Sequence, residues 1–369
     1  MSLNFRFAIA SDPHIALTHT VDFNNPRFHL VEASIPIFES VLNHLEQLDL
    51  DFLLIPGDLT QDGEQENHQW LQKRLESLSF PAYVIPGNHD VLTPLPTSKN
   101  IGWSEFPRYY RKAGYENTEK LYYTREILPE VQLIALNSNQ FDASGKQLGC
   151  LDAEQLEWLD RILLDVKDKF ILVMIHHNVI EHLPGQSQHL MGKRYMLDNA
   201  PILLEKLREA GVKLIFSGHL HIQDIAEREG IYDITTGSTV GYPNPYRILH
   251  LWESDRGIKH LQIESFNIEE IPHLQNVPQV ARERIGDRSY PFMHRLVELP
   301  PLNLSGREAE DLARDLREFW ADVCAGDRQF NFSHYSQPVR TYLESFGAID
   351  KNGNPTQIDN NTLLILNNE

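Results

Sequence analysis

The chain has little cysteine, and this limits how it can be held together. Only Cys150 and Cys324 occur among its 369 residues. They lie far apart in the sequence and lack the close spacing of thiolate metal sites. We therefore expect two reduced, buried thiols and neither a disulfide framework nor a zinc-thiolate cluster.

Long apolar runs and an excess of basic residues are also missing. The strongly apolar stretch 170–175 is too short to span a bilayer, and the N-terminus shows no signal-peptide pattern. Lys and Arg number 33 against 52 Asp and Glu, a net charge of -19. This charge argues against broad nucleic-acid or membrane binding, although bound metal can reverse the sign locally for a small anionic substrate. We expect a cytoplasmic protein.

What the chain does have is an alternation of strand and helix patterns from residue 5 to about 265. Short apolar runs predict buried strands at 5–10, 52–55, 83–85, 131–136, 170–175 and 212–216. Between them, apolar residues three and four positions apart predict amphipathic helices. After residue 218 the helices stop, and 231–236, 246–252 and 260–265 look like successive strands. The pattern predicts a layered α/β protein with a second, partly antiparallel sheet.

The last hundred residues have a different pattern. Ser305 and Glu308 fit a capping box ahead of an apolar stripe at 312–323, and a second helical stripe covers 339–346. We expect a catalytic domain at 1–272 and a small, mainly helical domain at 273–369 with a weakly ordered, Asn-rich end. This second domain is expected to brace the first or to form a dimer contact, with substrate recognition as the alternative.

Metal-binding residue types stand at the ends of five predicted strands. Side chains converge where strands leave a sheet at their carboxyl ends, and glycines in these segments let the backbone approach closely. Each segment alone is a common turn, but the ordered set predicts a dinuclear metal site. Nitrogen and carboxylate donors without thiolate suit Mn, Fe, Zn or Co. The segments are Asp12-Pro13-His14, Gly57-Asp58, Gly87-Asn88-His89-Asp90, His176-His177 and Gly218-His219-Leu220-His221.

This set resembles the signature of the calcineurin-like metallophosphoesterase family, D-x-H, G-D, G-N-H-[DE], H and G-H-x-H, over residues 5 to about 240. The resemblance implies a four-layer αββα sandwich of two mixed sheets. It also implies a metal-dependent phosphodiesterase, similar to class III cyclic-nucleotide phosphodiesterases and glycerophosphodiesterases. Two divalent or trivalent ions, Mn, Fe or Zn, would bind, and a hydroxide bridging them would attack a small phosphodiester in line.

The resemblance also implies a role for each matching residue. Asp12, His14 and His221 would hold one metal; Asn88, His176 and His219 the other; and Asp58 would bridge both. His89 would be the acid near the leaving group, with Asp90 as its orienting partner. His177 is expected to be a neighbour of the metals or to face the substrate.

Several alternatives stay open. Gln61 stands where purple acid phosphatases have a tyrosine, and 57–63 lacks the arginine of protein Ser/Thr phosphatases. A phosphomonoesterase on nucleotides or sugar phosphates and a non-catalytic scaffold remain, while charge disfavours a nuclease. A homo-oligomer is not excluded. Four histidines match no motif and are expected in loops, where one could line the substrate pocket: His19, His29, His182 and His189.

Overall fold

The computed structural model describes residues 2–25, 27–349, 354, 356 and 358–366. The strands are β1 (Asn4–Ile9), β2 (Phe52–Ile55), β3 (Ala82–Val84), β4 (Tyr123–Leu128), β5 (Val131–Ala135), β6 (Asn139–Phe141), β7 (Gln147–Gly149), β8 (Phe170–Met174), β9 (Leu214–Ser217), β10 (Asp224–Arg228), β11 (Ile231–Thr235), β12 (Pro245–Glu253), β13 (Lys259–Asn267) and β14 (Asn361–Leu366). The helices are α1 (Ser34–Leu45), α2 (Gln65–Glu76), α3 (Phe106–Tyr109), α4 (Ala153–Asp165), α5 (Ala200–Glu209), α6 (Val277–Arg288), α7 (Tyr290–Glu298), α8 (Gly306–Asp315), α9 (Phe319–Ala325) and α10 (Gln337–Glu344).

The strands form two six-stranded mixed sheets. The first has the order β14-β13-β12-β1-β2-β3, and the second has the order β10-β11-β9-β8-β5-β4. Strands β1, β2 and β3 are parallel, as are β5, β8, β9 and β11. The carboxyl ends of each parallel set therefore lie along one edge of its sheet.

The two sheets pack face to face. Successive side chains along a strand point alternately into two different hydrophobic clusters. Leu133 of β5 belongs to the cluster between the sheets, whereas its neighbour Ile134 belongs to the cluster under α4 and α5. Phe7 of β1 meets Phe216 of β9 edge to face, with ring centroids 5.6 Å apart. Helix α1 covers the outer side of the first sheet through Phe38 and its neighbours. The result is the αββα sandwich that the resemblance implied.

The C-terminal helices form a third hydrophobic cluster, which Leu220 and Ile222 join from the catalytic part. The apolar stripe at 312–323 is two helices, α8 and α9, and not one. Ser305 is at the N-cap position of α8, but its side chain makes no capping hydrogen bond. The Asn-rich end was predicted to be weakly ordered, but residues 361–366 form β14, which pairs with β13 and buries Thr362 and Leu366 while Leu363 and Ile365 stay exposed. The remainder of that end at 350–353 and 367–369 lies outside the described residues.

The two cysteines and the lengths of the helices bear on how the chain is held together and where it could lie. Cys150 and Cys324 are free thiols, although Cys150 is only half-buried. None of the helices in the described ranges is long and apolar enough to cross a membrane.

A buried charge network fixes the segment that follows β8. Asp233 of β11 accepts hydrogen bonds from the backbone N–H groups of Val179 and Ile180, at 2.7 and 3.1 Å. His182 lies between Asp233 and Asp224, with its Nδ1 2.7 Å from the Asp224 carboxylate. Burial opposes a charge on His182, but the two carboxylates outweigh it and raise the pKa of His182 to about 10. The segment that carries His176 is therefore anchored to the second sheet by an ion pair.

We predict that His182→Gln destabilises the protein by about 3 kcal/mol at pH 6, because the buried Asp233 and the partly exposed Asp224 lose their cation. The folded-state pKa lies above the ordinary value of 6.5, so this stabilisation is complete below about pH 6.5 and is lost as the pH rises towards 10. Urea unfolding of both proteins between pH 6 and pH 10 measures the difference. His19→Gln, which removes an exposed ion pair with Glu66, should have little effect at any pH. A difference for His182→Gln that is constant with pH would contradict this charge assignment.

Candidate metal centre

The backbone at the predicted metal-binding residues is in an unusual conformation. Five of these residues have positive φ: Asp12 (47°), His14 (43°), Asp58 (47°), His219 (65°) and His221 (59°). L-residues enter this region at a cost of about 1–3 kcal/mol each, and such strain concentrates at functional sites. The turns after β1, β2 and β9 are thus shaped to direct these side chains towards one another.

The structure brings the predicted ligand atoms into two groups that share Asp58. In one group, Asp12, His14, Asp58 and His221 each offer a donor atom within 4.8 Å of the others; in the second, Asp58, His176 and His219 do so. The Nε2 atoms of His14 and His221 are 3.2 Å apart, and Asp58 Oδ1 lies 3.4 Å from His176 Nε2. These donors are nitrogen and carboxylate oxygen, which fit divalent first-row metals.

Asn88 extends the second group. Its Oδ1 lies 3.2 Å from His176 Nε2. The amide oxygen therefore faces the same point as the imidazole. All seven residues predicted as metal ligands are thereby brought together, although they come from five separate segments of the chain.

In two of the imidazoles, the ring nitrogen that points away from the metal-type donors makes a hydrogen bond. The other ring nitrogen is then left to bind a metal. His176 Nδ1 is 2.8 Å from the carbonyl of Pro56, and His219 Nε2 is 3.3 Å from the carbonyl of Arg194. A carbonyl accepts only, so each of these nitrogens carries the proton. The lone pairs then lie on His176 Nε2 and His219 Nδ1, which is the arrangement that outer hydrogen bonds give to metal-binding histidines.

The electrostatics also suit a cation. Burial first, and neighbouring histidines second, hold the pKa values of His14 and His219 well below their usual range. Burial alone would raise the pKa of Asp58, but His176 and His89 lower it well below its ordinary value. The same carboxylate raises the pKa of His176 to about 9 against the opposing effect of burial. His14, His219 and Asp58 are thus biased towards the neutral and ionised forms that bind metal, whereas His176 must release a proton when a metal binds.

Two glycines make this close approach possible. A Cβ on Gly87 would overlap the carboxylate of Asp58, and one on Gly218 would overlap Asp12 and the Ser11 hydroxyl. Any larger residue would push the turns apart. These contacts explain why glycine is needed at both positions, as the sequence predicted.

His89 lies beside the metal-binding residues and faces the cleft. Its ring meets His14 edge to face at 4.9 Å, and its Nδ1 donates to the carbonyl of Gln61 at 2.6 Å. The Asp62 carboxylate lies 3.9 Å from the same nitrogen. Its Nε2 is therefore the atom free to act on a substrate.

Asp90 does not orient His89, contrary to our expectation from the sequence. Its carboxylate accepts from the backbone N–H groups of Gly87, Leu59 and Thr60 at 2.7, 3.0 and 2.8 Å. It is fully buried and ties together the turns that carry Asp58 and Asn88. Four buried donors, counting the Thr60 hydroxyl at 3.1 Å, outcompete a more distant imidazole for its oxygens.

A cavity of about 700 Å³ opens in front of these residues. His177 lines it, with its Nδ1 2.7 Å from the Ser138 hydroxyl and its ring against His219. The C-terminal helices contribute a second wall through Phe292 and Trp320. Their place on the cleft favours the alternative that the C-terminal part takes part in recognition.

His29, one of the four loop histidines of which one could line the substrate pocket, does line the cleft. Its ring stacks on His14 at 4.5 Å and meets His221 at 5.5 Å. Lys146, Lys193 and Arg194 also line the cavity. No motif marks these residues, because loops far apart in sequence bring them together, and sequence reasoning missed the three basic ones.

The calcineurin-like phosphoesterase family matches residues 5–223, more than half of the chain. A 3′,5′-cyclic-nucleotide phosphodiesterase from Nostoc sp. is 29% identical over 205 residues, covering 55% of this chain and 68% of the relative. A protein named "Probable glycerophosphodiester phosphodiesterase" from Arcobacter nitrofigilis is 30% identical over 217 residues, covering 57% and 70%. The residues after 223, including all the C-terminal helices, lie outside the family match.

One solved structure supports the fold alone. A dimetal phosphatase from Danio rerio aligns with a TM-score of 0.53 at 15% identity, covering 71% of this chain and 95% of that protein. At this identity the likeness extends to the sandwich and not to substrate.

We predict that Asp90→Ala lowers stability by about 3 kcal/mol and weakens metal binding, because buried backbone donors lose their acceptor and the turn at Asp58 is released. Asp90→Asn keeps one acceptor oxygen and should lose less. Urea unfolding and metal titration of the three proteins measure both effects. A variant that keeps full stability and metal affinity but loses turnover would instead place Asp90 in the reaction.

Proposed function

The chain belongs to the calcineurin-like phosphoesterase family and is a phosphoric ester hydrolase, and from that premise we propose that it hydrolyses a small phosphodiester at a pair of metal ions. The observation that carries the proposal is the sharing of Asp58 between two groups of metal-type donors. Asp12, His14 and His221 would complete one position. Asn88, His176 and His219 would complete the other. Mn, Fe or Zn suits these donors.

When bound, two such ions lower the pKa of a coordinated water and offset the charge of the phosphoryl oxygens. Water adds to phosphorus, and the P–O bond to one alcohol breaks with its electron pair going to the departing oxygen. The products are an alcohol and a phosphomonoester. His89 is placed to give the departing oxygen a proton from Nε2, because its Nδ1 is held by the Gln61 carbonyl. The Asp62 carboxylate lies 3.9 Å from the same Nδ1.

A diester is favoured over a monoester by the shape and charge of the cleft. The 700 Å³ cavity continues past the metal-type donors to Phe292 and Trp320, which gives room for a second alcohol on phosphorus. Lys193 and Arg194 offset the strongly negative charge of the whole protein at this place. The two relatives named above, a cyclic-nucleotide and a glycerophosphodiester phosphodiesterase, supply the candidate substrates.

We further propose that residues 1–272 are the catalytic unit and that 273–369 mainly serve as the second wall of its cleft. The contacts of Leu220 and Ile222 with the C-terminal hydrophobic cluster support a fixed placement. A cytoplasmic location and a homo-oligomeric state remain predictions of the sequence.

Protein reconstituted with Mn should bind two ions per chain and cleave bis(p-nitrophenyl) phosphate faster than p-nitrophenyl phosphate. Asp58→Ala should abolish both activities, since both metal positions lose a donor, while the exposed Asp49→Ala serves as a matched control. Elemental analysis and release of p-nitrophenol measure these outcomes. Fully loaded protein that cleaves neither ester would refute the proposal, and a preference for the monoester would refute the choice of a diester.

We predict different effects for two histidines of the site. His89→Ala should lower kcat about a hundredfold with little change in metal content, because this residue transfers a proton and holds no metal. His221→Ala should reduce metal content itself. Parallel kinetics and elemental analysis distinguish them, and equal losses of metal in both variants would place His89 among the ligands.

A further inference from the structure

His29 lines the cavity, and one of its ring nitrogens has a defined hydrogen-bond partner. His29 Nε2 is 3.2 Å from the side-chain oxygen of Gln61. The Gln61 side-chain nitrogen donates to Asp62 Oδ1 at 3.2 Å. A carboxylate accepts only, so the orientation of the Gln61 amide is fixed with its oxygen towards His29.

This chain of hydrogen bonds assigns the tautomer of His29. An amide oxygen also accepts only, so Nε2 of His29 must carry the proton. Its Nδ1 then has a lone pair. Among the hydrogen bonds of the described residues, the one made by this ring involves Nε2 and not Nδ1, and His29 lines the cavity. In the neutral ring Nδ1 is a hydrogen-bond acceptor, held in place by the contact of Nε2 and outside both groups of metal-type donors.

The ring is held in place from both sides. It stacks on His14 at 4.5 Å with an interplanar angle of 24°. Its backbone carbonyl accepts from Arg284 of α6 at 3.3 Å, and the next residue, Leu30, donates to the carbonyl of Val240 at 2.7 Å. Arg288 of α6 also donates to the carbonyl of Arg27. The C-terminal helix α6 thus positions the segment that presents His29.

The partner of this acceptor is a donor without positive charge. Arg27, Lys146, Lys193 and Arg194 outnumber Asp58 and Asp198 along the same cavity, which disfavours an ammonium group of a substrate there. A hydroxyl is the neutral donor that remains in small phosphate esters. His29 and His89 both pack against His14, so the hydroxyl belongs to the alcohol that receives the proton from His89.

We propose that His29 is a specificity-determining residue that accepts a hydrogen bond from a hydroxyl adjacent to the ester oxygen of the departing alcohol. The substrate class is then a phosphodiester of a vicinal hydroxy-alcohol. A 3′,5′-cyclic ribonucleotide and a glycerophosphodiester both have this group. The proposal rests on the proposed function and adds the part of the substrate that is recognised.

Two matched pairs of substrates test this with the Mn-loaded full-length protein. The pairs are 3′,5′-cyclic AMP against its 2′-deoxy analogue, and glycerophosphoethanolamine against the analogue in which propane-1,3-diol replaces glycerol. We expect kcat/KM to favour the hydroxylated member by about tenfold in at least one pair. The pair that shows the preference identifies which alcohol is recognised.

Variants assign the preference to His29. His29→Phe retains a ring to stack on His14 but lacks the acceptor, and its ratio of kcat/KM values should fall to about one. His29→Gln restores an acceptor oxygen and should recover part of the ratio. His19→Phe, an exposed histidine outside the cleft, should keep the wild-type ratio. Metal content measured in each variant separates loss of recognition from loss of metal.

The outcomes separate this inference from the proposed function. Ratios of one in both pairs for wild-type protein that cleaves bis(p-nitrophenyl) phosphate would overturn the role of His29 and leave the function standing. A ratio that survives in His29→Phe would also overturn it. Dissociation constants of the paired compounds in a His89→Ala background give the same ratio without turnover, so the inference is tested even if catalysis fails.

Discussion

The carboxylate of Asp58 is the interaction on which the rest of the site depends. It is buried, it belongs to both groups of metal-type donors, and His14 and His176 lie on either side of it. A buried ionised carboxylate is costly without compensating charge. His176 supplies part of this compensation, and a pair of cations would supply the rest. The site therefore has one central negative charge that cations on both sides would offset.

Holding that carboxylate requires strained turns, and the sandwich keeps them in place. Five of the predicted metal ligands have positive φ, which an isolated peptide would avoid. Each turn begins where a buried strand ends, so its first residue is already fixed by the sheet. Asp90 then binds the turns of Asp58 and Asn88 to each other through their backbone N–H groups. The packing of the apolar core thus offsets the strain of these turns.

The C-terminal helices complete the cleft and do more than brace the catalytic part. Phe292 and Trp320 form its far wall, while Arg284 and Arg288 of α6 hold the backbone of the segment that presents His29. Phe292, Trp320 and the two arginines lie outside residues 5–223, which the family matches, whereas His29 lies within them. The walls of the cleft therefore come from both parts of the sequence.

The sequence by itself determined the layered α/β fold, the strand ends that carry the motifs and the identity of the residues that meet there. Apolar periodicity and strand-end position are local patterns, so they can be recognised without coordinates. Tertiary structure alone decided that Asp90 binds backbone and not His89, that the stripe at 312–323 breaks into two helices, and that residues 361–366 return to the first sheet. It also decided that His29, which matches no motif, stacks on His14. These outcomes depend on which groups compete for the same hydrogen bonds and contacts in space, and that competition has no signature along a single chain.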